Sequence, residues 1–186
     1  PIIRGVPRFV KQLSDFNKIS QEVWYSHWKR FGTGSKYARK EYSRDELLSH
    51  GIIGQINPDE KTLFDISLFK DKMVVDLGGG IGQNVALAVS AGAKCVLEID
   101  ISETIDLAYK TYQGCRNAEF IQADLCQTPL RNNSFDFIFS IGVIMSLNDP
   151  CDGLKEVFRI LRNGCYFSFT VLKKECWLGY LHLMLN

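Results

Sequence analysis

An aspartate followed by glycines at alternate positions, Asp76-Leu77-Gly78-Gly79-Gly80-Ile81-Gly82, is the part of this chain best suited to chemistry. Glycines at 78, 80 and 82 leave the main chain bare, so a ligand can lie against backbone N–H groups where a helix begins. The stretch follows the apolar run Met73-Val74-Val75 and opens onto a helix-like segment, which reads as strand, tight turn and helix. A dinucleotide fingerprint, G-x-G-x-x-G/A, would need a small residue at Gln83 counted from Gly78, or at Val85 counted from Gly80. Neither count is satisfied, which disfavours a nicotinamide-dependent oxidoreductase. The Lys-Ser/Thr pair with which a P-loop grips a triphosphate is missing as well.

A second acid lies about twenty residues on, in Val96-Leu97-Glu98-Ile99-Asp100-Ile101-Ser102. An acid at the end of the second strand of such a fold can accept hydrogen bonds from both hydroxyls of a ribose, and Asp100 fits that role. The D-x-G-x-G-x-G pattern of Asp76, Gly78, Gly80 and Gly82 resembles motif I of the class I S-adenosylmethionine-dependent methyltransferases, in particular the type 11-like domain. That resemblance implies S-adenosylmethionine as cofactor and S-adenosylhomocysteine as product. The amino-acid end would lie against Asp76, Gly78, Gly79, Gly80 and Gly82, and the ribose at Asp100 with Ile101 beside it. Glu98, where the family more often has a small residue, reads as a solvated carboxylate at a strand end.

Further matches follow in order along the chain. Ala123-Asp124-Leu125 resembles the family's segment contacting adenine, in which Asp124 would accept from the exocyclic amine and Leu125 would supply an apolar face. The run from Phe135 through Ser140 and Ile141 to Pro150 resembles the strand and loop that lie next to the methyl donor. Relatives often carry histidines in that loop where this chain has Met145 and Ser146, so no histidine base is expected there, and Asp149 is the nearest candidate base by motif position. The Asn/Asp-Pro-Pro-aromatic motif of nucleic-acid amino-methyltransferases is absent, since the strand ends in Ser140-Ile141-Gly142.

The function implied is methyl transfer to an O, N or C nucleophile of a small molecule. The alternative is a catalytically silent cofactor-binding module that regulates or scaffolds a partner. A net charge of +1 gives no general attraction to phosphate backbones or anionic membranes, so neither nucleic acid nor membrane is an expected partner. The six cysteines form no C-x-x-C pair and only three histidines accompany them, so no metal site is expected. With no signal peptide or membrane-length apolar run, a cytoplasmic enzyme is the default expectation.

The elements that must position these residues alternate. Strands are expected at about 73–77, 94–99, 118–122, 135–140 and 165–172, with helices at about 83–91, 103–113 and 151–161. That order implies βαβ units with right-handed crossovers, hence an α/β, doubly wound, mostly parallel sheet. The resemblance adds a Rossmann-like strand order of 3-2-1-4-5. It also exposes a departure: too few residues follow the fifth strand for the usual sixth and seventh.

Upstream, Ile19, Val23, Trp24, Trp28 and Phe31 recur at helical spacing, and further helix starts are expected at Ser43-Arg44-Asp45-Glu46 and Asn57-Pro58. Residues 1–70 thus read as a helical cap segment and 71–186 as the cofactor-binding domain, together one compact unit. His27-Trp28-Lys29-Arg30-Phe31 and Arg8-Phe9 resemble an N-terminal segment that caps the cofactor pocket in one bacterial subgroup. Pro1 to Phe9 also resembles the closing residues of a small zinc-ribbon domain that precedes or partners some methyltransferases. Both ends of the chain read as cut. An apolar helix over Trp177 to Leu185, beside an exposed fifth strand, suggests a homodimer through residues of about 165–186.

Overall fold

The computed structural model describes residues 1–10, 13–31, 66–82 and 84–170 of the 186-residue chain. The helix starts expected near residues 43 and 57, the apolar C-terminal helix and the dimer contact that needs it lie outside the described residues.

Five strands form the central sheet: β3 (Met73–Leu77), β4 (Cys95–Asp100), β5 (Ala118–Gln122), β6 (Phe135–Ile141) and β7 (Leu161–Thr170). They pair in the order β5-β4-β3-β6-β7, every pair parallel, which is the expected 3-2-1-4-5 arrangement. Helices α2 (Val85–Ser90), α3 (Ile105–Tyr112) and α4 (Pro150–Ile160) join them, as parallel neighbours require.

Alternation along each strand divides the core between two faces. Val74, Val96, Phe120, Phe137 and Phe139 point to the side packed by Val85, Ala88, Ile105 and Ala108 of α2 and α3. Val75, Leu77, Leu97, Ile99 and Ile138 point to the other, against Val157 and Ile160 of α4. A period of two therefore puts Asp76 and Glu98 on the same face as Val74 and Val96, and the register makes them direct cross-strand partners.

β7 begins earlier than the sequence pattern implies, directly after α4, and it is irregular. Leu161 pairs with Phe135 and Tyr166 with Phe137, so Arg162 to Cys165 bulge opposite Asp136, with Gly164 at φ +74° and Arg162 ion-paired to that aspartate.

At the N-terminus, β1 (Ile2–Ile3) and β2 (Val6–Pro7) form a hairpin that the sequence reading did not resolve. Arg4 and Gly5 both have positive φ, as its two-residue turn demands. The hairpin is docked on the domain. Val6 is fully buried, Arg8 bridges in parallel to Gln122 of β5, the Phe9 N–H donates to the Gln122 carbonyl (2.8 Å), and Arg8 forms an ion pair with Asp106 of α3.

Helix α1 (Asp15–Phe31) lies over the C-terminal ends of the strands. Its inward face is the expected one only in part, since Trp24 and Trp28 point inward while Ile19 and Val23 are exposed. Asn17 and Ser20 join the two tryptophans in lining the cleft beneath it. Polar side chains anchor the helix in this orientation. The Asn17 Nδ2 donates to Asp124 Oδ2 (2.9 Å), and the Gln21 Nε2 donates to the Ile101 carbonyl (3.1 Å).

Candidate cofactor site

Parallel strands of this arrangement open a crevice at their C-terminal ends, and here the cleft lies between those ends and α1. It holds about 100 Å³ and is lined by Gly78 after β3, Asp100 to Ser102 after β4, Asp124 and Leu125 after β5, the 141–147 segment after β6, and the α1 residues. The turn between β3 and α2 takes the shape its glycines permit, with φ of +80° at Gly78, +64° at Gly80 and +79° at Gly82. The Gly80 position is tight as well as left-handed: a Cβ there would stand 2.8 Å from Nε1 of Trp28.

Asp100 is the best-connected group of the site. Its Oδ2 accepts from the Gly80 N–H (3.0 Å), tying the glycine turn to β4, and its Oδ1 accepts from the N–H (2.7 Å) and the hydroxyl (2.6 Å) of Ser102. Burial raises its pKa, while hydrogen bonds from Ser102, Gly80 and Thr104 oppose that rise.

Two further carboxyls converge beneath the turn. Asp76 is buried, with Oδ2 accepting from Asn84 Nδ2 (3.1 Å) and Oδ1 without a hydrogen bond among the described residues. Glu98 is fully buried and neither of its oxygens has a partner among the described residues, so the expectation of a solvated strand-end carboxylate is overturned. Its position in the strand points it inward beside Asp76, and a Cβ on Gly79 would overlap both carboxyls. Burial pushes the Asp76 carboxyl up to about 7, and burial together with the charges of Asp76 and Asp100 pushes Glu98 well above the usual carboxylate range. Among the described residues no group of three or more His, Cys, Asp or Glu side chains could hold a metal ion.

The structure brings together most of the residues singled out from sequence. Gly78, Asp100, Ile101, Asp124, Leu125 and Ile141 line the cleft, while Asp76, Gly79, Gly80 and Gly82 build the turn at its edge. Ala123 and Ser140 are fully buried beside it, and the Ser140 hydroxyl donates to the Leu77 carbonyl (2.9 Å). Asp149 stands apart as the N-cap of α4, its Oδ1 accepting from the Cys151 N–H (2.8 Å), and it does not line the cleft. Asn17, Ser20 and Ser102 line it and were missed. For Asn17 the signal was a polar residue at helical spacing from Trp24 and Trp28.

A profile of the methyltransferase domain family matches residues 75–169, about half of the chain, from within β3 to within β7. This chain belongs to that family. Among curated proteins it is 30% identical over 129 residues to a malonyl-[acyl-carrier protein] O-methyltransferase of Marinomonas sp. (strain MWYL1), covering 64% of this chain and 48% of the relative. It is 31% identical over 110 residues to a tRNA U34 carboxymethyltransferase of Glaesserella parasuis serovar 5 (strain SH0165), covering 56% and 34%. The chain thus spans half or less of the length of these relatives. Among solved structures, an S-adenosylmethionine-dependent methyltransferase from Mesorhizobium loti superposes with a TM-score of 0.50 at 28% identity, covering 54% of this chain and 47% of the other.

The cofactor of this methyltransferase domain is S-adenosylmethionine, and the residues present fit it. The glycine turn leaves bare backbone where side chains would clash, Asp76 Oδ1 is an orphaned buried acceptor for a cation, and Asp100 stands at the strand end where a ribose needs an acid.

Proposed function

We propose that this domain binds S-adenosylmethionine across the C-terminal ends of β3, β4 and β5 and directs its methyl group to an O, N or C nucleophile of a small molecule. When bound, the cofactor supplies a sulfonium-activated methyl group. The observation that carries the reading is the roofed cleft itself, in which the glycine turn, Asp100 and Asp124 face a helix contributing Trp24 and Trp28.

Each residue then has a task. Gly78 to Gly82 admit the amino-acid end to the backbone, and Asp100 accepts from the ribose hydroxyls with spare lone pairs on oxygens already fixed by Gly80 and Ser102. Asp124 and Leu125 meet the base. Among the described residues no histidine, lysine or arginine lines the cleft; holding the acceptor close and excluding water can lower a barrier by roughly 7–11 kcal/mol without a strong base. Among the described residues the lining is rich in apolar groups, with Trp24, Trp28, Leu125, Val143 and Leu147 beside a few polar ones, which suits a small acceptor. Residues 1–70 serve as the cap, through α1, and residues 71–186 as the cofactor-binding domain.

Calorimetry with S-adenosylmethionine, S-adenosylhomocysteine and NAD, followed by transfer of labelled methyl to small-molecule acceptors and to RNA, tests this reading. Binding of the first two ligands and label in the small-molecule fraction are expected. Label in RNA would overturn the acceptor class, and binding without transfer to any acceptor would favour a silent module.

A further inference from the structure

The Asp76–Glu98 pair places two buried carboxyls side by side under the turn that receives the amino-acid end of the cofactor, with three of their four oxygens unpartnered among the described residues. Two carboxylates have only acceptors to offer each other, and charging both in so dry a place is costly. One proton between them turns the contact into a hydrogen bond. We propose that Glu98 is a positioning residue for the cofactor's α-ammonium, acting through Asp76: it keeps the proton and donates it to Asp76, which is thereby free to carry the single negative charge that the ammonium meets. This inference rests on the cofactor placement proposed above.

The surroundings support a proton-holding role rather than a second anionic contact. Facing the pair are Asp100 of β4, whose charge disfavours a second ionisation, and Asn84 at the head of α2, which donates to Asp76. On the turn's other sides stand Trp28 of α1, edge-to-face with His27, and Tyr112 of α3, whose ring faces Gly82. Among the described residues no cationic side chain pairs with either carboxyl, which leaves the place open to the ligand's ammonium. Burial raises both carboxyls, Asp76 to about 7, and the contact between them lowers Asp76 and raises Glu98, which leaves the proton on Glu98. The pair titrates as a unit, and a bound ammonium favours its ionised form. Affinity should therefore climb with pH through neutrality.

The test compares S-adenosylhomocysteine with 5′-methylthioadenosine, which has the adenosine and lacks the amino-acid end, by calorimetry from pH 6 to 8. The parent chain should bind the first ligand several-fold more tightly at pH 8 than at pH 6, and the second equally at both. Glu98→Gln keeps a donor beside Asp76 and should retain that profile within about threefold. Glu98→Met keeps the volume and removes the donor. It should shift the profile upward by about a pH unit, weakening S-adenosylhomocysteine about fivefold at pH 7 while leaving 5′-methylthioadenosine unchanged. A parental profile in Glu98→Met, or an equal loss in Glu98→Gln, would overturn the proposal. So would a ratio of the two affinities that does not vary with pH in the parent, which needs no variant to fold. If the parent binds neither ligand, the cofactor placement itself has failed.

Discussion

Asp100 is already held by two N–H groups and a hydroxyl, yet it still faces the cleft, so its orientation is fixed before any ligand arrives. Removing a charge-assisted hydrogen bond costs roughly 1.5–3 kcal/mol, so Asp100→Ala should weaken S-adenosylhomocysteine binding by about 10- to 150-fold. Circular dichroism would confirm that the variant is folded, and an affinity equal to the parent's would remove Asp100 from the ribose site. This residue was legible because its place, after the second strand of a βαβ series and about twenty residues beyond the glycines, is set by topology. Glu98 was not legible in the same way. An acid in a strand otherwise rich in Val, Leu and Ile reads as solvated by its chemistry, and only the register opposite Asp76 shows that it points inward. Asp149 matched by motif position alone, and the helix it caps uses its carboxylate locally.

Among the elements, the strands from β3 to β6 fall within a residue or so of the expected bounds, because apolar runs bounded by turn residues have one packing solution in a parallel sheet. β7 starts early because Leu161 returns to pair with Phe135 before the bulge, a tertiary contact that periodicity does not encode. The hairpin was hidden because its strands are two residues each and take their stability from Arg8, Gln122 and Asp106 rather than from pattern. Helix α1 was visible as a helix, but its inward face is set by hydrogen bonds to Asp124 and Ile101. It lies so close that Trp28 sits against Gly80, and the cleft of about 100 Å³ is smaller than the roughly 300 Å³ at which ligand pockets begin. Binding must therefore move α1 or its indoles. Saturating S-adenosylhomocysteine should change the tryptophan emission, and Trp28→Phe should remove most of that change. Emission that stays constant in the parent while calorimetry records binding would show that the roof does not respond.

At the scale of the whole molecule, the buried acids make stability depend on pH in a direction opposite to the usual carboxylate case. Asp76, Glu98 and Asp100 are all pushed up by burial, Asp76 to about 7, whereas in the unfolded chain each ionises near about 4. Between those limits the folded state holds more protons than the unfolded one, so stability falls as pH rises, by at most about 1.4 kcal/mol per pH unit for each proton retained. Other groups act against this trend at the acidic end. Although burial pushes both up, Glu156 is held low by Arg159 and Thr128, and Asp136 by the Met73 N–H and Arg162. The stabilisation from these two is present above the usual carboxylate range and is lost as pH falls below it. His27, lowered by burial, gives a small gain as pH rises toward about 6.5, discounted because the ring is partly exposed. The balance predicts a melting temperature that peaks on the mildly acidic side, near about pH 5, and declines by several degrees toward pH 8. A melting temperature that climbs steadily from pH 5.5 to 8 would mean that the buried pair ionises without cost. Glu98→Met removes one of the retained protons and should make the decline shallower. Saturating S-adenosylhomocysteine should do the same in the parent, because a ligand that favours the ionised pair stabilises the folded chain most where that pair has lost a proton.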